Sequence, residues 1–240
     1  MPPTESFGSP DQKSRYVRRM FNAISKRYDF LNHFLSVGID IYWRRQALRL
    51  SQLKNGEWFL DVACGTGDIS IQAANKKPAR IVSVDFAEAM LRNFEMKKKN
   101  LGLDGSVELI QADAELLPFP ESTFDVTAVA FGVRNFGNLE RGLSEMRRVL
   151  KTGGRIVILE FSTPKSLGIR EAYLFYFTRV LPIIGKLVSK DPGAYRYLPG
   201  SVSGFPDGGD FEEILRKANF RNISSTSLTF GIATIYYGEK

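Results

Sequence analysis

Cysteine and histidine are almost absent: the 240 residues hold one of each, Cys64 and His33. A disulfide within the chain is thereby excluded, and so is a zinc site assembled from several Cys and His ligands. A chain without structural disulfides suits a reducing compartment, so a cytoplasmic location is expected. Base catalysis by a histidine pair is equally unavailable, and His33 is expected to be structural. No apolar run is long enough to cross a bilayer. The greasiest stretch, from Leu167 to Val188, is interrupted by Arg170, Glu171, Arg179, Pro182 and Lys186. The opening residues 1–6 lack the basic start and apolar run of a secretory signal, and residues 1–10 read as a mobile tail. No carboxylate cluster has metal-ligand spacing, so no metal is expected.

What is present describes an ordinary globular chain, 43% hydrophobic and 25% charged. At this length one domain buries roughly 70–75% of the surface its unfolded chain exposes, and no covalent staple is needed. The net charge is +7, with basic residues dense at Lys13, Arg15, Arg18, Arg19, Lys26, Arg27, Arg44, Arg45 and Arg49 and again at Lys97, Lys98 and Lys99. Such a field attracts nucleic acid, anionic lipid or an acidic ligand alike, and solvated helix faces account for it equally. Nucleic acid is disfavoured, because the basic residues are not interleaved with aromatics that would stack on bases.

Residues 11–240 read as a single domain. In residues 11–55 the apolar positions Val17, Met20, Phe21, Ile24, Tyr28 and Leu31 recur at spacings of three and four, and a second helical stretch follows from Ile39 to Leu53. These helices form an expected cap. Residues 56–165 alternate short apolar runs with helical patterns, the signature of βαβ units and a parallel sheet. The runs are 58–64, 80–85, 107–112, 124–131 and 155–161. Residues 166–209 read as a lid followed by a Pro/Gly-rich loop from Asp191 to Gly209. The lid's apolar stretch suits a membrane surface, a cover over a greasy ligand or an additional core helix. In residues 210–240 a helix opened by a capping box of Asp210 and Glu213 precedes two strand-like runs joined at Thr229–Gly231, too short a connection for anything but an antiparallel hairpin.

The run from Phe59 to Asp68 sets Gly65 and Gly67 where a buried strand hands over to a helix, so that the backbone turns tightly and approaches a ligand. A dinucleotide site wants a third small residue where this chain has Ser70, and Asp61 four residues upstream suits a cationic ligand better than a pyrophosphate. Asp85 ends the next strand, placed to accept from both hydroxyls of a ribose or to cap the following helix. Asp113, after the third strand, is placed to accept from an adenine amino group. In order and spacing Asp61, Gly65, Gly67, Asp85 and Asp113 resemble the successive cofactor motifs of class I S-adenosylmethionine-dependent methyltransferases. That resemblance implies a doubly wound, Rossmann-like α/β sheet, mostly parallel, with a C-terminal antiparallel hairpin and an N-terminal helical cap.

Further stretches carry a narrower resemblance. Met20–Ile24 with Tyr28 and Asp29, Asn32 through Gly38 to Arg44, Asp61–Asp68, Gln111–Glu115, Phe131–Asn135, Tyr195–Pro199 and Gly231–Ala233 are similar to the C-methyltransferases of ubiquinone and menaquinone biosynthesis, over nearly the whole chain. The resemblance implies cofactor contacts at Thr66, Asp85, Asp113 and Ala114. It departs from the family at Ala130, where many members have serine, and at Gly200, where glutamate usually follows Leu-Pro.

The residues also bear on the chemistry. Amine methylation commonly uses an Asn/Asp-Pro-Pro-aromatic motif after the fourth strand; here that place holds Phe131-Gly132-Val133-Arg134-Asn135. A ring carbon attacks a sulfonium methyl when the neighbouring hydroxyl is ionised, and a phenol of pKa ~10 falls short at neutral pH by roughly 4 kcal/mol. Arg134 is expected to stabilise the oxyanion, with Asn135 orienting the hydroxyl. Tyr195, Arg196 and Tyr197 either line a quinol pocket or anchor their loop. The resemblance implies a prenylated quinol as substrate, demethylmenaquinol ahead of the ubiquinone precursor, and such a substrate would be met at the inner face of the membrane by peripheral contact. Homodimerisation stays open. The alternatives are another small-molecule or lipid methyltransferase and a non-catalytic nucleic-acid-binding protein.

Overall fold

A computed structural model of the chain describes residues 7–25, 28, 29, 36–180 and 192–240, without the side chains of residues 177 and 192–196. Helices α1 (Pro10–Ile24) and α2 (Ile39–Leu50) precede a regular alternation. It runs β1 (Trp58–Val62), α3 (Asp68–Ala74), β2 (Arg80–Asp85), α4 (Glu88–Asn100), β3 (Val107–Gln111), β4 (Phe124–Ala130), a short 3-10 turn (Val133–Asn135), α5 (Leu139–Val149) and β5 (Leu150–Phe161). After these come α6 (Ile169–Phe175), α7 (Pro192–Ser203), α8 (Gly209–Lys217), β6 (Arg221–Leu228) and β7 (Ala233–Glu239).

The seven strands form one sheet in the order β3-β2-β1-β4-β5-β7-β6, parallel throughout β3 to β5 and antiparallel where β7 joins β5 and β6. Side chains alternate across a strand, and here both faces are greasy. Phe59, Ile81, Val126 and Val157 pack towards α2, α3 and α4, whereas Leu60, Val82, Phe124 and Ile158 pack towards α5 and α8. A third, smaller cluster joins Val17 and Met20 of α1 to Tyr173 of α6 and to Tyr197 and Val202 of α7. The cap therefore closes on its own apolar seam. α1 starts as its sequence suggests, with the Ser9 hydroxyl accepting from Gln12 N–H and Pro10 in the first turn, where its missing N–H costs nothing.

Two expectations are corrected. Most of the Pro/Gly-rich stretch placed in a loop from Asp191 to Gly209 is helix α7, with Pro199 inside it. Proline removes one intrahelical bond, and burial of Tyr197 and Val202 against α1 outweighs that loss. The Asp210–Glu213 capping box does not form: the N-cap of α8 is Gly208, in a conformation at φ 58°, and Asp210 lies within the first turn. His33 and Leu31 lie outside the described residues, as does residue 181 onward in the lid stretch up to residue 191.

Candidate functional site

In an open parallel sheet the chain leaves a crevice where successive connections run to opposite faces. Here that point lies between β1 and β4, since β1 connects towards β2 and β4 towards β5. The carboxyl ends of these strands converge on one cleft. Asp61, Gly65, Thr66, Asp85, Asp113, Ala114 and Asn135 all line it. Seven of the residues singled out from sequence are thus brought together by one topological feature.

Backbone conformation marks the same spot. Ala63 (φ 53°) and Phe131 (φ 59°) are non-glycine residues in the left-handed region, one after β1 and one after β4. A Cβ on Gly132 would meet the Cβ of Ala63 at 2.8 Å, so the two strand exits pass too closely for any other residue. Gly65 sits at φ 56° on the cleft wall. Gly67 plays a different part from the one its motif suggests. It does not line the cleft, and a Cβ there would fall 2.2 Å from the Phe94 ring. Its glycine is demanded by α4 packing over the turn.

Burial tunes the acids. Asp61 is wholly buried; one oxygen accepts from the Ser70 hydroxyl at 2.5 Å, while the other finds no hydrogen-bond partner among the described residues. Desolvation pushes its pKa from 3.8 to about 7, the Ser70 bond pulling the other way and the Asp85 charge adding to the rise. Asp85 is lifted to about 6, again by burial, with backbone N–H donors limiting the rise. Its two oxygens accept from Gly65 N–H and Ala87 N–H, each at 2.8 Å. Carboxylate oxygens hold about four lone-pair sites in all, so acceptor capacity remains for a ligand hydroxyl. Asp85 consequently serves both readings left open by the sequence: it shapes the glycine turn, fixes the start of α4 and faces the cleft. Asp113 is exposed at the rim, accepting from Glu115 N–H at 2.9 Å. The Thr66 hydroxyl donates to Asp29.

The orphaned oxygen of Asp61 is the test of fit for S-adenosylmethionine. An unpartnered buried acceptor is costly, and a cationic amino-acid end satisfies it. Among the described residues the cleft wall otherwise offers four more carboxylates, Asp68, Asp85, Asp113 and Glu115, against one basic side chain, Arg44. Such a lining attracts a ligand carrying a sulfonium and an ammonium. Residues and cofactor fit.

Arg134 lies elsewhere than expected. Its guanidinium is tied to wholly buried Glu160 at 2.5 Å and to the Phe131 carbonyl at 2.7 Å, over the Phe161 ring, and it borders a neighbouring hollow and not the cofactor cleft. The Glu160 carboxylate therefore already neutralises it. Asn135, buried on the cleft wall, accepts from the Tyr197 hydroxyl at 3.0 Å and donates at 3.4 Å to the Phe131 carbonyl. Tyr197 sits in α7 and not in a loop; the side chains of Tyr195 and Arg196 lie outside the described residues. Glu160 and Arg44 were not singled out from sequence. Glu160 ends a buried strand, where an acid within an apolar run was the available signal. Arg44 was hidden among the basic residues of the cap.

Comparison with known proteins agrees with this geometry. The model of the family described as the ubiE/COQ5 methyltransferase family matches residues 9–240. A ubiquinone/menaquinone biosynthesis C-methyltransferase UbiE of Geobacter sulfurreducens is 47% identical over 95% of this chain and 90% of its own length. A demethylmenaquinone methyltransferase of Bacteroides fragilis is 40% identical over 98% and 96%. Among solved structures, a SAM dependent methyltransferase from Aquifex aeolicus superposes with a TM-score of 0.61 at 19% identity over 83% of this chain and 90% of that one, a likeness of fold. On the family match and these identities, the chain belongs to the ubiE/COQ5 methyltransferase family.

Proposed function

We propose that the protein transfers a methyl group from S-adenosylmethionine to a ring carbon of a prenylated quinol, demethylmenaquinol foremost. The observation that carries the reading is the junction of two environments. Phe21 and Phe86 line the cofactor cleft and also pack on the apolar seam of the cap, so an acidic nucleoside site opens directly into a greasy one. The names of the curated relatives support the same substrate class.

The cofactor, when bound, supplies an electrophilic methyl on sulfur. Asp85 holds its ribose, Gly65 and Thr66 its turn-facing edge, Asp113 and Ala114 its base, and Asp61 its amino-acid end. Asn135 meets the quinol: its amide donates to the hydroxyl whose ionisation drives attack, and Tyr197 fixes its orientation by taking up the amide oxygen. Arg134 acts behind it as a positioning residue, holding the Val133–Asn135 turn through Phe131 and Glu160. Tyr197 borders the substrate side.

Location follows from the tail. A long prenyl chain stays in the bilayer, so the enzyme meets it at the inner membrane face. Leu167, Phe175 and Phe230 are exposed large apolar groups, Phe230 at 77%. Arg45, Arg49, Lys165 and Arg170 are exposed cations of the same cap, lid and neighbouring loop. Among the described residues no helix is long and apolar enough to cross a membrane. Peripheral contact by greasy side chains, with anionic lipid adding about 1 kcal/mol per basic residue, serves instead.

A tritiated-methyl transfer assay against reduced demethylmenaquinone and the reduced ubiquinone precursor tests the reading. Turnover of the naphthoquinol, lost in Asn135→Ala and lowered in Tyr197→Phe with cofactor affinity kept, is expected. Activity on neither quinol overturns it.

A further inference from the structure

Arg44 is the one basic side chain lining the cofactor cleft among the described residues, facing five acids. It projects from α2, its side chain 6% exposed, across to the ring of Phe131, 5.2 Å from the guanidinium carbon. Asp40, one turn earlier on the same helix, accepts from its Nη1, and Asp68 stands 3.7 Å from Nη2, beyond hydrogen-bond reach. Lys97 bridges Asp68 at 2.7 Å and Asp29 at 2.9 Å, and Asp29 in turn accepts from Thr66. This ionic chain links α2, the glycine turn and α4, and fixes the guanidinium in place. A guanidinium carries five N–H donors, and the Asp40 bond uses one. Its charge also reaches Asp61, favouring the ionised form of that carboxylate.

A zwitterionic amino-acid end needs an anion for its ammonium and a cation for its carboxylate. Among the described residues the cleft supplies anions in excess and a single cation. We infer that Arg44 binds the carboxylate of the cofactor's amino-acid end while the unpartnered oxygen of Asp61 takes its ammonium. The fork of the guanidinium suits a carboxylate bidentately, which a lysine ammonium does not reproduce. Buried ion pairing to Asp40 and Asp68 pre-orients the fork, so little side-chain entropy remains to be lost on binding. The phenyl face of Phe131 beneath it comes from the strand exit next to Asn135, which couples the amino-acid end to the place where the methyl is transferred.

The experiment compares ligands that differ only at that end. Calorimetry on the intact chain measures S-adenosylhomocysteine, which has the amino-acid group, and methylthioadenosine, which has the nucleoside and sulfur without it. The wild type is expected to prefer the first strongly. Arg44→Gln is expected to weaken S-adenosylhomocysteine by about 10- to 100-fold, the scale of a charge-assisted pair, and to leave methylthioadenosine within about twofold. Arg44→Lys recovers part of the loss. Decarboxylated S-adenosylmethionine should be insensitive to Arg44→Gln, separating the carboxylate from the ammonium. If Arg44→Gln weakens all three ligands equally, the residue is a structural brace and the inference is overturned. Should the glutamine variant unfold, Arg44→Lys keeps the buried charge, and an equal loss for all three ligands there overturns the inference likewise. A wild type that binds no adenosyl ligand at all overturns the cofactor site itself, an outcome distinct from a uniform loss in the variants.

Discussion

Replacing Asp61 by asparagine should make the ligand-free protein more stable at alkaline pH and its cofactor complex weaker. The carboxyl is wholly buried and its pKa rises from 3.8 to about 7, chiefly through desolvation. A folded-state pKa above the unfolded one means that the stability present below about pH 4 is lost as pH climbs towards 7. At about 1.4 kcal/mol per pH unit, the ionised carboxylate costs the apo fold about 4 kcal/mol above neutrality. Asparagine keeps the acceptor for Ser70, but its amide N–H sits where one oxygen has no partner, offsetting about 1–3 kcal/mol of the gain. The net expectation is a gain of about 1–3 kcal/mol at pH 8 that shrinks as pH falls and reverses to a loss of similar size near pH 4. Urea melts of both proteins at several pH values measure it, and calorimetry at pH 8 should show S-adenosylmethionine binding weakened by about 10- to 100-fold, since a charge-assisted bond is lost. A variant as stable as wild type across the whole range, or binding the cofactor unchanged, refutes the reasoning.

Asp85→Ala should weaken cofactor binding by about 1.5–3 kcal/mol, read by the same titration; it also frees two backbone N–H groups at the glycine turn, so a circular-dichroism check on the fold accompanies it. Gly67→Ala drives a methyl into the Phe94 ring and holds alanine at φ 85°, costing about 2–4 kcal/mol in thermal unfolding. Trimming the ring in Gly67→Ala/Phe94→Leu should return part of it, and failure of the second change to help would show that the strain is all backbone. Wild type should sediment with anionic vesicles, less so in high salt and less again after Phe175→Ser with Phe230→Ser; indifference to anionic vesicles at low salt would make the apolar lid a substrate cover alone. Glu160→Gln uncouples the Arg134 charge from its buried partner, and turnover should fall by tenfold or more with cofactor affinity kept, whereas a loss of both would place Arg134 in the cofactor site.

The sequence alone carried the strand and helix periodicities, and with them the doubly wound sheet, because alternation of apolar residues and glycine turns is a local property of the chain. It also carried the residues lining the cleft: Asp61, Gly65, Thr66, Asp85, Asp113 and Ala114 all lie at or just after the carboxyl ends of parallel strands, which open on the same edge of the sheet. What tertiary structure decided was pairing. Whether Arg134 faces a substrate or a buried acid depends on Glu160, a residue 26 positions away on the neighbouring strand. Gly67 looks like a ligand-facing glycine until Phe94, brought over it by α4, shows why no side chain fits. Helix α7 survives its proline because Tyr197 and Val202 find α1, from the far end of the chain. Arg44 is one of nine basic residues dense in the N-terminal stretch of the sequence and, among the described residues, the single cation of the cleft in space. Burial, charge balance and long-range contact are sums over neighbours, and neighbours distant in sequence are chosen only when the chain folds.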